Sequence, residues 1–201
     1  VTVASGDDDV TVSAAFLNGF TGAAITLTAA GDITFQESVN NAHAGTSLTA
    51  VAGGALTVNA GKSIQVAGDL RLTGDTISLR GNLTSTSGQV RLSGPASLRD
   101  NDIVISGASV VIDNAINSTQ RALAITATSG GITLNDDITL GSGASHFTGP
   151  VTLGADVQIT AAGITFDGNV TGTAHALSLL GAGTKSLKAV NVASLTTGSR
   201  G

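Results

Sequence analysis

Four arginines recur at matching positions in two neighbouring segments of the chain. Leu70-Arg71-Leu72 aligns with Val90-Arg91-Leu92, and Ser78-Leu79-Arg80 aligns with Ser97-Leu98-Arg99. Guanidinium groups bind carboxylate, sulfate and phosphate through paired hydrogen bonds. The repeated positions therefore predict a binding stripe (Arg71, Arg91, Arg80 and Arg99) for an acidic glycan or a neighbouring subunit. Stacked like charges repel, so the favoured alternative is local neutralisation by nearby carboxylates, namely Asp69, Asp75, Asp100 or Asp102.

Two pairs of aspartates are the candidates for acid–base chemistry. Asp100 and Asp102 could share one strand face, whereas Asp136 and Asp137 would cooperate only within a turn, because adjacent residues of a strand point to opposite faces. Enzymes that cleave polysaccharides need clustered carboxylates, usually with aromatic rings for sugar stacking, and the chain contains no Trp or Tyr. Turn formation is the favoured role of these aspartates. We therefore expect no catalytic activity.

Metal binding has one candidate site. Asp7, Asp8 and Asp9 are adjacent carboxylates that could bind calcium, but the glycine–aspartate spacing of calcium-binding nonapeptide repeats is absent, so a solvated turn is favoured. The three histidines, His43, His146 and His175, have no metal-ligand spacing. No cofactor is expected.

A repeat of about twenty residues determines where all these side chains must lie. Residues 55–107 divide into ALTVNAGKSIQVAGD, LRLTGDTISLRGNLTSTSG and QVRLSGPASLRDNDIVISG. Each line carries short apolar–polar–apolar triplets that end at Gly, Asn or Asp, the pattern of short strands between turns. The sequence thus predicts an all-β fold: a single right-handed parallel β-helix (β-solenoid) with about three short strands per turn and about nine turns. Residues 1–201 are expected to be one continuous segment of a longer chain or a polymer.

The register of the repeat predicts which side chains are buried. The inward residues are expected to be aliphatic and stacked from turn to turn: Leu56, Val58, Leu70, Leu72, Val90, Leu92, Ile132 and Leu134. Thr57, Arg71, Arg91 and Thr133 should point outward. Asn59, Asn82, Asn101 and Asn135 are expected at turns, where asparagine tolerates a left-handed backbone or stacks its amide on the amide of the next turn. Similarity between residues 157–170 and 24–39 places Phe166 over Phe35, and Phe16, Leu17 and Phe20 interrupt the rhythm and should bulge from the coil or cover its side.

Composition excludes several classes of partner. The net charge is −5 with only nine Lys and Arg residues, so a nucleic-acid partner is not expected. No apolar run is long enough to cross a membrane as a helix.

Aromatic residues make up 2% of the chain, which suits stacked small aliphatic side chains better than an irregular globular core.

The segment AGGALTVNAGKSIQVAGDLRLTGDTISL resembles the haemagglutinin repeats of filamentous-haemagglutinin-like exoproteins, the large bacterial adhesins of two-partner secretion. The resemblance extends over most of the chain and implies a right-handed β-helical shaft, a secreted or bacterial cell-surface location and a role in adhesion or biofilm. The NPNG-type motif of that family's secretion domain is absent, so the chain resembles the shaft. The family supplies no catalytic residues.

These observations favour a structural or adhesive β-helical shaft of a secreted bacterial surface protein, without catalysis. The alternative is a subunit of a self-assembling extracellular filament or sheath that stacks end to end. A carbohydrate-active β-helix is the third hypothesis. The expected partners are further copies of the chain, through its ends, and host or matrix glycans.

Overall fold

Short strands that alternate in burial make up almost the whole chain in the computed structural model, which describes residues 2–5 and 8–199. In chain order the first elements are β1 (Thr2–Ser5), β2 (Val10–Val12), helix α1 (Ala14–Gly19), β3 (Ala24–Ala29), β4 (Ile33–Phe35), β5 (Val39–Asn41), β6 (Ser47–Ala52), β7 (Ala55–Val58) and β8 (Ile64–Val66). The middle elements are β9 (Leu70–Thr73), β10 (Thr76–Leu79), β11 (Leu83–Ser85), β12 (Gln89–Ser93), β13 (Ala96–Leu98), β14 (Ile103–Ile112), β15 (Ile116–Asn117) and β16 (Leu123–Leu134). The last are β17 (Ile138–Thr139), β18 (Ser145–Thr148), β19 (Val151–Leu153), β20 (Val157–Thr160), β21 (Ile164–Phe166), β22 (Val170–Leu180), β23 (Lys185–Ser186) and β24 (Val190–Gly198).

Each strand pairs in parallel with the strand about one turn later, so the described strands form one continuous coiled sheet of about nine turns. The coil has three faces. Face A contains β1, β3, β6, β9 and β12; face B contains β2, β4, β7, β10 and β13; face C contains β5, β8 and β11. The longer strand β14 runs from face C onto face A, with a register shift between Gly107 and Ser109. The predicted all-β parallel solenoid is confirmed.

The core consists of columns of aliphatic side chains parallel to the solenoid axis. One column on face A joins Ile25, Leu48, Leu70, Val90, Val110, Ile132, Val151 and Val170 through successive register pairs. Every member of that column is at most 1% exposed. All eight residues predicted to point inward are buried, and Thr57, Arg71, Arg91 and Thr133 lie on the outer surface, as expected. Such stacking stabilises each turn mainly through its two neighbours.

Aspartates at the corners join one turn to the next. At five corners a backbone amide donates to a side chain of the preceding turn. The carboxylate oxygen of a corner aspartate accepts a hydrogen bond from this amide one turn later, at 2.7–2.9 Å. The pairs are Asp32 with Ala55, Asp69 with Gln89, Asp102 with Ala122, Asp137 with Gln158, and Asp156 with Ala176.

Helix α1 replaces a strand on face C of the first turn. Leu17 is fully buried, and the Asn41 Nδ2 donates to the carbonyl oxygens of Leu17 at 2.6 Å and Phe20 at 2.8 Å. Asn41 is itself fully buried, and its Oδ1 accepts from the amide of His43. The interruption predicted at Phe16, Leu17 and Phe20 is therefore a short helix that covers β5.

Two predictions about register and turns are wrong. Phe166 lies on face C, where its ring stacks on Phe147 with centroids 4.7 Å apart, whereas Phe35 pairs with Val58 on face B. All three faces carry the same apolar–polar–apolar triplet, so the alignment paired Phe166 of face C with Phe35 of face B.

The predicted asparagines are not in left-handed positions. Among the described residues other than glycine, only Asp100 has a positive φ, of 67°. Asn82, Asn101 and Asn135 contribute through their side-chain amides instead. Asn82 Oδ1 accepts from the Val104 amide at 2.9 Å, Asn101 Nδ2 donates to the Arg80 carbonyl, and Asn135 Nδ2 donates to Asp113.

Candidate binding groove on face B

The four arginines of the predicted stripe form two separate pairs on different surfaces. Arg71 and Arg91 are direct register partners on face A. Arg80 and Arg99 each follow one member of the Leu79–Leu98 pair, so they lie at the corner between faces B and C. The repeat correctly placed each pair one turn apart, but the structure does not bring the two pairs together.

Carboxylates neutralise both arginines on face A. Arg71 Nη2 lies 2.8 Å from Asp69 Oδ2, and Arg91 donates to both carboxylate oxygens of Asp113, at 2.7 Å from Nε and 3.2 Å from Nη2. Asp69 is one of the four carboxylates that the sequence offered as local partners of the arginines. Asp113 was missed because it lies 22 residues from Arg91 in the chain, one turn further along the solenoid.

The two carboxyl groups on face A are held ionised. The amide of Gln89 is the largest cause of the lowered pKa of Asp69, and the Arg71 guanidinium lowers it further against the opposing effect of partial burial. Burial raises the pKa of Asp113, but hydrogen bonds from Arg91, Ser93 and Asn135 outweigh burial and hold this pKa below its ordinary value. Hydrogen bonds to the charged form stabilise it. Face A is therefore a neutralised surface.

The arginines at the corner of faces B and C are incompletely paired. Arg80 Nη1 lies 3.3 Å from Asp100 Oδ2, and Arg99 Nε donates to Ser97 Oγ at 3.4 Å. Arg121, which the repeat alignment missed, lines the same depression. Within the described ranges, neither Arg99 nor Arg121 has a carboxylate within ion-pair distance. Of these three guanidinium groups, only that of Arg80 is paired with a carboxylate among the described residues.

These arginines border a groove along face B, whose lining is mainly apolar in its two larger depressions and mainly polar beside Arg121. Three adjoining depressions have volumes of about 420, 390 and 240 Å³. Arg99 lines all three of them, and the two larger ones also share Ser97 and Asn117. The groove floor is a column of outward polar side chains joined by register: Ser78, Ser97, Asn117 and Thr139. With a spacing of about 4.8 Å between neighbouring strands, this column is about 14 Å long.

The candidate catalytic aspartates have structural contacts. Asp102 and Asp137 accept amides of the following turn, as described above, and Asp136 Oδ1 accepts the amide of Asp137. Asp100 pairs with Arg80. The structure therefore assigns all four to corners, as the favoured interpretation predicted.

The candidate metal ligands remain dispersed. His146 Nε2 lies 2.6 Å from Asp167 Oδ2, and His175 Nδ1 lies 3.7 Å from Asp156 Oδ1. Across residues 2–5 and 8–199, no three His, Cys, Asp or Glu side chains cluster closely enough to hold a metal ion. In the calcium candidate, Asp9 Oδ1 accepts the Asp32 amide at 2.8 Å, and Asp7 lies outside the described residues.

Comparisons with protein-family models, with curated proteins and with solved structures gave no match. In the part of the chain that the structure describes, no helix has the length and apolarity needed to cross a membrane.

Proposed function

We propose that this chain is a structural and adhesive β-helical shaft of a secreted bacterial surface protein, and that it acts without catalysis. The observation that carries the proposal is the uninterrupted stack of parallel turns, with its core columns of buried aliphatic residues. Each turn adds about 4.8 Å of length and a fresh outer surface. This suits a rod that holds binding surfaces away from a cell. The resemblance to haemagglutinin repeats supports the surface location, and host or matrix glycans are the proposed partners.

Antibody labelling of intact producing cells tests the location. The proposal predicts that an antibody raised against this chain labels unpermeabilised cells, and that brief treatment with external protease removes the label. A cytoplasmic protein labelled only after permeabilisation serves as the control. Labelling of this chain only after permeabilisation would contradict the proposal.

A second candidate is a filament subunit that stacks end to end through strand edges. β24 pairs with β22 and with no other strand of the described residues. The Val170 amide donates to the Ala189 carbonyl at 2.9 Å, and Val170 is the register partner of Val190. Amides of alternate residues in a parallel strand point to the same neighbour, so the amides of Val190 and Val192 face away from β22. Unpaired strand edges can pair with another chain.

Sedimentation velocity over a range of concentrations distinguishes the two candidates. A shaft segment is expected to keep one sedimentation coefficient as concentration rises. A filament subunit is expected to form larger species whose size increases with concentration.

A further inference from the structure

We propose that the groove on face B binds a linear acidic polysaccharide, laid along the solenoid axis and held by Arg99 and Arg121. The assignment deepens the adhesive part of the proposed function and rests on it, because an exposed shaft would meet such polymers. The site is distinct from the Arg71–Arg91 pair on face A, whose charges the chain itself neutralises.

The charge balance of the groove favours an external anion. Arg99 is exposed and Arg121 is half-buried, and the described part of the chain offers neither a carboxylate partner. The carboxylate of Asp100 is paired with Arg80. A guanidinium group binds carboxylate or sulfate through two parallel hydrogen bonds, and an added anion between Arg99 and Arg121 would reduce the repulsion between the three cations.

Arg80 carries an unsatisfied donor at the same place. Its Nε is shielded from solvent and has no hydrogen-bond partner among the described residues. A buried donor without an acceptor destabilises the fold. The side chain lines two of the three depressions, so a small rotation that turns Nε toward a bound anion would satisfy it.

The shape of the groove fits a linear polymer. Its floor of hydroxyl and amide groups continues through four turns, about 14 Å, and the arginines follow its edge at the corner between faces B and C. Hydroxyl and amide groups can donate to and accept from sugar hydroxyls. None of the lining residues is aromatic, so stacking on a neutral sugar is absent and the negative charge of the polymer must supply the affinity.

The other classes of partner fit less well. Nucleic acid is disfavoured by the net charge of −5. A protein partner would be expected to bury apolar or aromatic side chains at the centre of the contact, and the outward floor of this groove is polar. Contact with a second copy of this chain is therefore an outcome for the experiment to detect.

The test measures binding of the chain to polygalacturonate and to dextran sulfate, with neutral dextran as the uncharged probe, by isothermal titration calorimetry at low salt. The variant Arg99→Gln/Arg121→Gln removes two groove charges. Arg71→Gln/Arg91→Gln removes the same number from face A and is the matched control. Circular dichroism and melting of each variant verify that the fold is retained. The pair Arg99→Lys/Arg121→Lys keeps the charge but removes the planar fork.

The proposal predicts that the unaltered chain binds at least one acidic polymer and not neutral dextran. The groove variant should lose about tenfold or more in affinity, the lysine pair should lose less, and the face A variant should change less than about threefold. An equal loss in the groove and face A variants would overturn the proposal, because binding would then follow net charge. Absence of binding to both polymers would also overturn it. Loss of concentration-dependent self-association in the groove variant, without loss of polymer binding, would assign the groove to contacts between copies. Each result leaves the cell-labelling test of the shaft unaffected.

Discussion

Replacing Leu72 with aspartate tests the assignment of inward and outward residues most severely. Leu72 is fully buried on face A, between register partners Ala50 and Leu92. Burial in apolar surroundings raises the pKa of a carboxyl group by about three units or more, and each unit corresponds to 1.36 kcal/mol, so the charge costs about 4 kcal/mol. Loss of leucine burial adds about 2 kcal/mol. Leu72→Asp is therefore expected to lower the free energy of unfolding by about 6 kcal/mol.

Thr57→Asp provides the matched control, because it places the same charge on the outer surface of face B. Thr57 is half-buried and its register partners are Thr34 and Ser78, neither of them charged. The expected change is under about 1 kcal/mol. Urea unfolding followed by circular dichroism measures both. Equal destabilisation would refute the register, since a slip of one residue exchanges inward and outward side chains. If Leu72→Asp does not fold, Leu72→Ala should still lower the unfolding free energy by about 2–5 kcal/mol.

Three further predictions concern acid stability, the helix and the strand edge. The pKa values of Asp69 and Asp113 are lowered in the folded chain. Their contribution to stability is therefore complete above the unfolded pKa of 3.8 and is lost as the pH falls through the lower folded pKa. Between about pH 5 and pH 2, the melting temperature of the variant Asp69→Asn/Asp113→Asn should depend less on pH than that of the unaltered chain. Asn41→Ala leaves two carbonyl groups of the α1 segment without their donor and should lower the unfolding free energy by about 1–3 kcal/mol, with faster hydrogen exchange in α1. If the chain stacks end to end, Val192→Pro should reduce concentration-dependent sedimentation without changing the β-sheet spectrum.

Each of these predictions has its own control. Glu37 is exposed, so Glu37→Gln should not change how the melting temperature depends on pH. If Glu37→Gln reduces this dependence as much as Asp69→Asn/Asp113→Asn does, the prediction is wrong. Exchange in strands far from α1 should not change in Asn41→Ala. Asn191→Pro is the control for Val192→Pro. The amide of Asn191 faces β22, so its loss should weaken the pairing of β24 with β22.

Sequence periodicity predicted the fold because every turn of a solenoid satisfies the same packing rule. An apolar–polar–apolar triplet defines both the strand and its buried side, so Leu70, Leu72, Val90 and Leu92 were placed correctly from their spacing alone. The same uniformity limited the prediction, because identical triplets on three faces do not reveal which face a triplet occupies. Phe166 was assigned to the wrong face for this reason.

The sequence alone indicated only part of the candidate groove. Arg80 and Arg99 follow the repeat, but Arg121 lies 22 residues beyond Arg99, in a corner at residues 118–122 that is longer than the two before it, at residues 80–82 and 99–102. Neutralisation of Arg91 by Asp113 likewise depends on which side chains meet across a turn. Pattern alignment detects equivalent positions, whereas charge balance depends on these contacts between non-equivalent positions.

The most direct test of the claim that this chain presents a surface without catalysis is to measure whether a bound polymer becomes shorter with time. Polygalacturonate is incubated with the chain for many hours, and its molar mass is followed by size-exclusion chromatography with light scattering. We expect the chain to retain the polymer while the molar mass of the polymer stays unchanged. Progressive shortening that disappears in Asp100→Asn or Asp102→Asn would contradict it. Asn tolerates the left-handed backbone of Asp100, where φ is 67°, so loss of shortening in that variant would identify a catalytic carboxylate.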